Sequence, residues 1–180
     1  MRNLIVVAFL EPVAEGFEFL RDDWPMHITL VRFDVADQPP APAPAPAPAG
    51  EADRVPAAGD PLAERIAGRL TEPVAVALGS RITAGGESGF GRSGVVPVTL
   101  IAPSLPLQEL HEALVAVVAE LSGRIPTPGY TLAGYRPHVS HRGGDRVSEG
   151  DELVLSWIAL LDMAPDGGHT TRRILKLWSA

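Results

Sequence analysis

The chain contains no cysteine. Disulfides and thiolate-held metals are therefore excluded, and the redox compartment is left open. Long apolar runs are missing as well, since nothing approaches the roughly 18 apolar residues that a membrane-spanning helix needs. The short apolar stretch at 4–10 is closed by Glu11 and Pro12, and no small-residue cleavage site follows. It predicts a first core strand, not a secretion signal, and the chain is expected to be cytoplasmic with no membrane contact. Positive charge is scarce: 15 Lys and Arg stand against 22 Asp and Glu, giving a net charge of −7. That balance argues against a broad platform for long duplex nucleic acid, whose affinity depends on neutralising many phosphates. A small basic pocket for one or two phosphates stays open. Hydrophobic residues make up 46% of the 180 positions, enough for one domain or two closely packed lobes.

What is present is organised around Trp24-Pro25-Met26-His27-Ile28-Thr29-Leu30-Val31-Arg32-Phe33. β-branched and apolar residues dominate, and Pro25 stands ahead of the strand, where no ladder hydrogen bond is lost. Alternation places His27 and Thr29 on one face and Ile28 and Leu30 on the other. The pattern returns in Tyr135-Arg136-Pro137-His138-Val139-Ser140: Pro again precedes a histidine, and a hydroxyl again sits two positions on. Two imidazoles, each beside a hydroxyl, suit the opening of a phosphodiester. One takes a proton from the attacking oxygen and the other gives one to the leaving oxygen. The hydroxyls can donate to non-bridging phosphate oxygens.

This pair of H-x-[T/S] motifs resembles the two-histidine (2H) phosphoesterase superfamily, which includes 2′-5′ RNA ligase-like proteins and RNA 2′,3′-cyclic phosphodiesterases. The resemblance implies an α+β fold: one bilobal domain over 1–180, with two mainly antiparallel sheets flanking a central cleft and helices on the outer faces. It implies His27, Thr29, His138 and Ser140 as catalytic residues, with no metal and no cofactor. His138 is expected as general base and His27 as general acid, although the near-symmetry of the motifs leaves the order open. The implied partner is a small cyclic nucleotide or an RNA end bearing a 2′,3′-cyclic phosphate, handled by a monomer. Hydrolysis to a phosphomonoester is the expected reaction, with 2′-5′ ligation of a cyclic end to a 5′-hydroxyl possible through the same groups. Two alternatives are a nuclease for 3′,5′-linked cyclic oligonucleotide signals and a non-catalytic nucleotide-binding module.

Substrate contacts are expected from Arg142, on the face of His138, and from Tyr135 and Phe33, which can stack on a base. Arg136 ranks lower, and alternation puts Arg32 on the face opposite His27. The H-x-x-H of His138 and His141 sends its imidazoles to opposite faces of a strand, which excludes a shared zinc. Helices are expected from Asp60 to a stop at Glu72-Pro73 and over 104–122, where Leu107, Leu110, Leu114, Val117 and Leu121 recur at helical spacing. His111 on the second helix reads as a surface or packing residue. Strands are expected over 74–83, 95–102, 153–162 and 172–178. Gly89, Gly91 and Gly94 spell G-x-G-x-x-G, but a strand follows them, so they read as a hairpin and not a dinucleotide site. The Pro/Ala-rich tract at 38–50 reads as a surface insertion.

Overall fold

The computed structural model describes residues 1–36, 60–141 and 146–180. The Pro/Ala-rich tract lies outside the described residues. The elements are β1 (Arg2–Phe9), β2 (Glu18–Leu20), β3 (His27–Val35), α1 (Pro61–Ala77), β4 (Arg81–Phe90), β5 (Val96–Ile101), α2 (Leu105–Glu120), β6 (His138–Ser140), β7 (Glu152–Val154), β8 (Trp157–Asp162) and β9 (Thr171–Ser179). The strands form one sheet in the order β2-β9-β8-β1-β3-β6-β5-β4-β7. Every pairing in it is antiparallel. The α+β class is as expected, but the two expected sheets are joined into one. They meet where β3 and β6 pair through Ile28 and Val139 alone.

β1 is apolar from Leu4 to Phe9, where both of its faces are covered. Leu4, Val6 and Ala8 enter a larger core that also holds Ile66, Leu70 and Val74 of α1 and Leu107, Leu110 and Leu114 of α2. Ile5, Val7 and Phe9 enter a smaller core on the other face, closed by Val13, Phe19 and Trp24 from the segment between β1 and β3. Each fully buried aliphatic or aromatic side chain contributes about 1.5–3 kcal/mol. Both helices thus back one face of the sheet, and the other face is left for the site.

α1 begins as its sequence predicts: the Ala63 N–H donates to Asp60 Oδ1 at 3.0 Å, and Pro61 occupies the first turn. It does not stop at Pro73. The buried stripe of Leu62, Ile66 and Leu70 continues through Val74 and Ala77, and that burial carries the helix past the proline. β4 accordingly starts only at Arg81 and runs through the glycines to Phe90. The hairpin reading of those glycines holds: a side chain at Gly89 would come within 2.4 Å of the Gly94 carbonyl oxygen, and Gly91 and Gly94 have φ of 76° and 68°. The strand expected over 153–162 is split into β7 and β8, because β7 pairs with β4 at one edge while β8 pairs with β1 and β9.

One irregularity changes the face assignments of β3. Val7 aligns with Thr29 and Val6 with Val31, so Leu30 is an extra residue, a β-bulge. Leu30 and Val31 both enter the larger core. After the bulge the alternation is reversed. Phe33, expected to stack on a base, is 0% exposed beside Leu4 in that core and cannot touch substrate. Arg32, expected on the face opposite His27, aligns with Ile5 and shares the face of His27.

Candidate active site

Because β3 and β6 run antiparallel about the Ile28–Val139 pair, His27 stands across from Ser140 and Thr29 across from His138. Ile28 and Val139 are both fully buried on the helix side, which turns the four motif side chains to the opposite face. The two histidines are then diagonal neighbours, a relation that separates backbones by about 7–8 Å and leaves room for a phosphate between the rings.

Each histidine is anchored in the same way. Nδ1 of His27 lies 2.8 Å from the Pro25 carbonyl oxygen, and Nδ1 of His138 lies 2.9 Å from that of Arg136. In both the partner is the carbonyl two residues earlier. A carbonyl only accepts, so each Nδ1 carries the proton and each Nε2 is the bare nitrogen of the neutral ring. His27 is enclosed more deeply: Trp24 lies at a ring-centroid distance of 4.4 Å and Phe9 at 6.0 Å. Burial pushes its pKa down to about 4; the Pro25 carbonyl opposes that shift, and the nearby His138 adds to it. Burial also lowers the His138 pKa, against the pull of the Arg136 carbonyl and with the help of the Arg136 charge.

Two cavities meet at the motifs. One of about 350 Å³ is lined by Arg21, Asp22, Trp24, His27, Thr29 and Ser140. The other, of about 480 Å³, is lined by Thr29, Arg32, Phe90, Tyr130, Arg136 and His138. Thr29 lines both, so they form the two arms of one groove. A larger cleft of about 760 Å³ between α1 and α2 contains neither motif. Phe90, at the hairpin tip, lies 4.3 Å from the His138 ring, and the Arg136 guanidinium stands 5.0 Å above the Phe90 ring. The glycine-rich hairpin thus brings a residue to the site that lacks any motif of its own.

Tyr135 lines the second arm, but its polar end is already engaged. Its hydroxyl donates to the Thr29 carbonyl oxygen at 3.0 Å, and its ring stacks on His111 at 3.8 Å between centroids, 3° from parallel. Burial raises its pKa beyond the usual phenol range. His111 is 1% exposed, a buried residue and not a surface one. Its Nδ1–H donates to the Leu30 carbonyl oxygen at 2.7 Å, and its Nε2 accepts the Leu132 N–H at 2.8 Å. Both partners require the neutral ring, and burial lowers its pKa accordingly. The stacked pair therefore occupies the two carbonyls at the bulge, on the edge of β3 that β6 leaves after one residue pair. Leu132 itself has φ of 54°, a left-handed conformation held by that bond to His111.

Arg142 lies outside the described residues. Thr99, paired with Val139, donates its hydroxyl to the Val147 carbonyl oxygen at 2.7 Å, so the 2.7 Å contact with His141 Nε2 is donated by the histidine. His141 is thereby turned toward the Val139 side, away from His138. Among the described residues no group of His, Asp and Glu is placed to hold a metal ion. No helix among them is long and apolar enough to cross a membrane.

A single antiparallel sheet with paired H-x-[T/S] strands at its centre defines a 2H phosphoesterase-like architecture. The family model of the 2′-5′ RNA ligase superfamily matches residues 7–154, and the chain belongs to that superfamily. The fold is similar to that of TT0787 from Thermus thermophilus, with TM-score 0.56 and 19% identity over 98% of this chain and 97% of that one. It is also similar to E. coli LigT complexed with 3′-AMP, with TM-score 0.52 and 14% identity over 99% and 97% of the two chains. A structure described as a phosphoesterase gives TM-score 0.52 at 15% identity, over 99% and 97%. Among curated proteins no match was found.

Proposed function

We propose that the protein is a metal-independent phosphodiesterase that opens 2′,3′-cyclic phosphates of nucleotides or RNA ends. The observation that carries this reading is the pair of diagonal histidines, each fixed through Nδ1 to a carbonyl and each beside a hydroxyl on the same face. The phosphate sits between the rings, with Thr29 and Ser140 donating to its non-bridging oxygens. One Nε2 takes a proton from water as its oxygen bonds to phosphorus. The other ring, protonated, gives its proton to the ribose oxygen as the P–O bond breaks. The product is a phosphomonoester; when a 5′-hydroxyl attacks in place of water, the same ring opening joins the two ends, and its reverse cleaves that linkage back to a cyclic end.

The deeper burial of His27 favours its neutral form, and we assign it the base role and His138 the acid role, the reverse of the order expected from sequence. An anionic substrate between the rings raises both pKa values and makes a protonated His138 accessible. The 3′-AMP in the LigT structure fits a small-nucleotide ligand for this groove.

The test is turnover of the four 2′,3′-cyclic mononucleotides with EDTA present, followed by phosphorus NMR. His27→Ala and His138→Ala are each expected to lower turnover by about 10²–10⁴-fold while the protein stays folded. Turnover that either variant retains, or that EDTA abolishes, overturns the two-histidine reading. Saturable binding without product favours a binding module.

A further inference from the structure

Most described cations are matched by carboxylates, in a chain whose net charge is −7. Arg2 pairs with Asp162 at 2.8 Å, Arg124 with Asp34 at 2.8 Å, Arg81 with Glu152 at 3.3 Å and Lys176 with Glu15 at 3.1 Å. Arg173 pairs with Glu18 and Arg69 with Glu120. Arg21, Arg32, Arg136 and Arg172 have no carboxylate partner among the described residues. Arg21, Arg32 and Arg136 line the groove, and Arg172 lies on the same sheet face.

Arg136 is accounted for by its place over Phe90. Arg32 shares its arm with Arg136 and Arg21 lines the other, and both stand near enough to Arg172 to act on its charge. Arg32 aligns with Ile5, and Ile5 lines the arm that Arg21 overlooks. The Arg21 N–H donates to the Thr170 carbonyl oxygen at 2.8 Å, which sets Arg21 beside the start of β9, two residues from Arg172. Arg172 is 5% exposed, and its Nη1 is fixed by the carbonyls of Met163 at 2.6 Å and Thr171 at 2.7 Å. Its Nε is buried with no partner among the described residues. Burial lowers the Arg172 pKa, and the charges of Arg21 and Arg32 lower it further, while Asp22 and Asp162 act the other way. Asp162 and Asp34 are occupied by Arg2 and Arg124, which leaves Asp22 as the acidic group lining this arm.

An anion beside Arg172 offsets a buried charge that no carboxylate matches, and the exposed guanidinium groups of Arg21 and Arg32 can reach it. Across the bulge Thr29 and Arg32 align with Val7 and Ile5, two residues apart on β1 or roughly 7 Å at ~3.3 Å per residue, a span that one nucleotide unit bridges. We propose that Arg21 and Arg32, backed by Arg172, form a second anion subsite for a phosphodiester phosphate next to the scissile one, so that an oligonucleotide end is preferred to a mononucleotide. The inference rests on the two-histidine reading for the position of the scissile phosphate.

The experiment compares two cyclic substrates, adenosine 2′,3′-cyclic phosphate and the dinucleotide ApA ending in the same group, with a methylphosphonate linkage as the uncharged version of the latter. The charged dinucleotide is expected to have a kcat/KM about tenfold or more above the mononucleotide. The logarithm of that advantage should fall with the logarithm of salt concentration, with a slope of roughly 0.7 for the added phosphate. Arg21→Ala with Arg32→Ala should reduce the ratio toward one, and Arg81→Ala should leave it unchanged. Equal values for the two substrates, or an advantage kept by the methylphosphonate, overturn the subsite. Calorimetric binding of the linear products, 3′-AMP against ApAp, gives the same comparison without turnover. A dinucleotide preference in binding with no hydrolysis of either substrate would retain the subsite and sink the phosphodiesterase reading. Hydrolysis of both with no preference would do the opposite.

Discussion

At His27 the imidazole faces Trp24 and Phe9 and gives its Nδ1 proton to Pro25, so a proton arriving at Nε2 meets little solvation. That environment suits a group that must be neutral before the reaction begins. Among the described residues His138 has Phe90 as its ring neighbour, with Arg136 close by. A p-nitrophenyl phosphodiester, whose leaving group departs without protonation, separates the two roles. His138→Ala is expected to keep most of its activity on that ester, and His27→Ala to lose it; the opposite pattern exchanges the assignments. The histidines and hydroxyls were legible in the sequence because each motif fits inside one strand, where alternation decides its face. Arg21 was not, since what brings it to the groove is a loop that carries no periodic signal.

The bulge at Leu30 is the feature of β3 that alternation alone could not reveal. It reversed the parity of everything beyond it, burying Phe33 and moving Arg32 to the site face. The extra residue also leaves carbonyls at Thr29 and Leu30, which Tyr135 and His111 occupy from two different segments. A hydroxyl at 135 therefore positions Thr29 without touching substrate through that atom. Tyr135→Phe keeps the stack on His111 and loses one hydrogen bond, for an expected stability loss of about 1 kcal/mol in urea unfolding. Turnover should fall several-fold with KM little changed. A change confined to KM would make the tyrosine a substrate contact. Pro73 gives the complementary lesson for α1, where a residue that signals a stop is overridden by Val74 and Ala77 finding room in the core.

Among the described residues three histidines are held neutral: His27, His111 and His138 all have pKa values lowered by burial, His111 fully buried and the other two half-buried. In the unfolded chain they bind protons below about 6.5, and in the folded protein His27 resists until about 4. The unfolded state thus binds more protons across that interval, so stability is full above about 6.5 and declines as pH falls toward 4. The slope from His27 alone is about 1.4 kcal/mol per pH unit. Asp34 and Asp60, with pKa values lowered from 3.8, lose their contributions only below that interval. Urea unfolding at several pH values should show the decline, and His27→Gln should flatten it by one proton. An unchanged slope in that variant would mean that His27 is not the group responsible.

The sheet is continuous through the middle of the molecule by virtue of one residue pair, Ile28 with Val139. The diagonal of His27 and His138 spans that same pair, so the bond between the halves and the proposed seat of the phosphate are one place. A ligand gripped by residues from both strands is then a rivet across a seam, and the reactive spacing is set by how far the seam is allowed to part. Amide exchange at Ile28 and Val139 should slow more than elsewhere when the groove is filled, which makes these two buried aliphatic residues reporters of occupancy although neither side chain faces the groove.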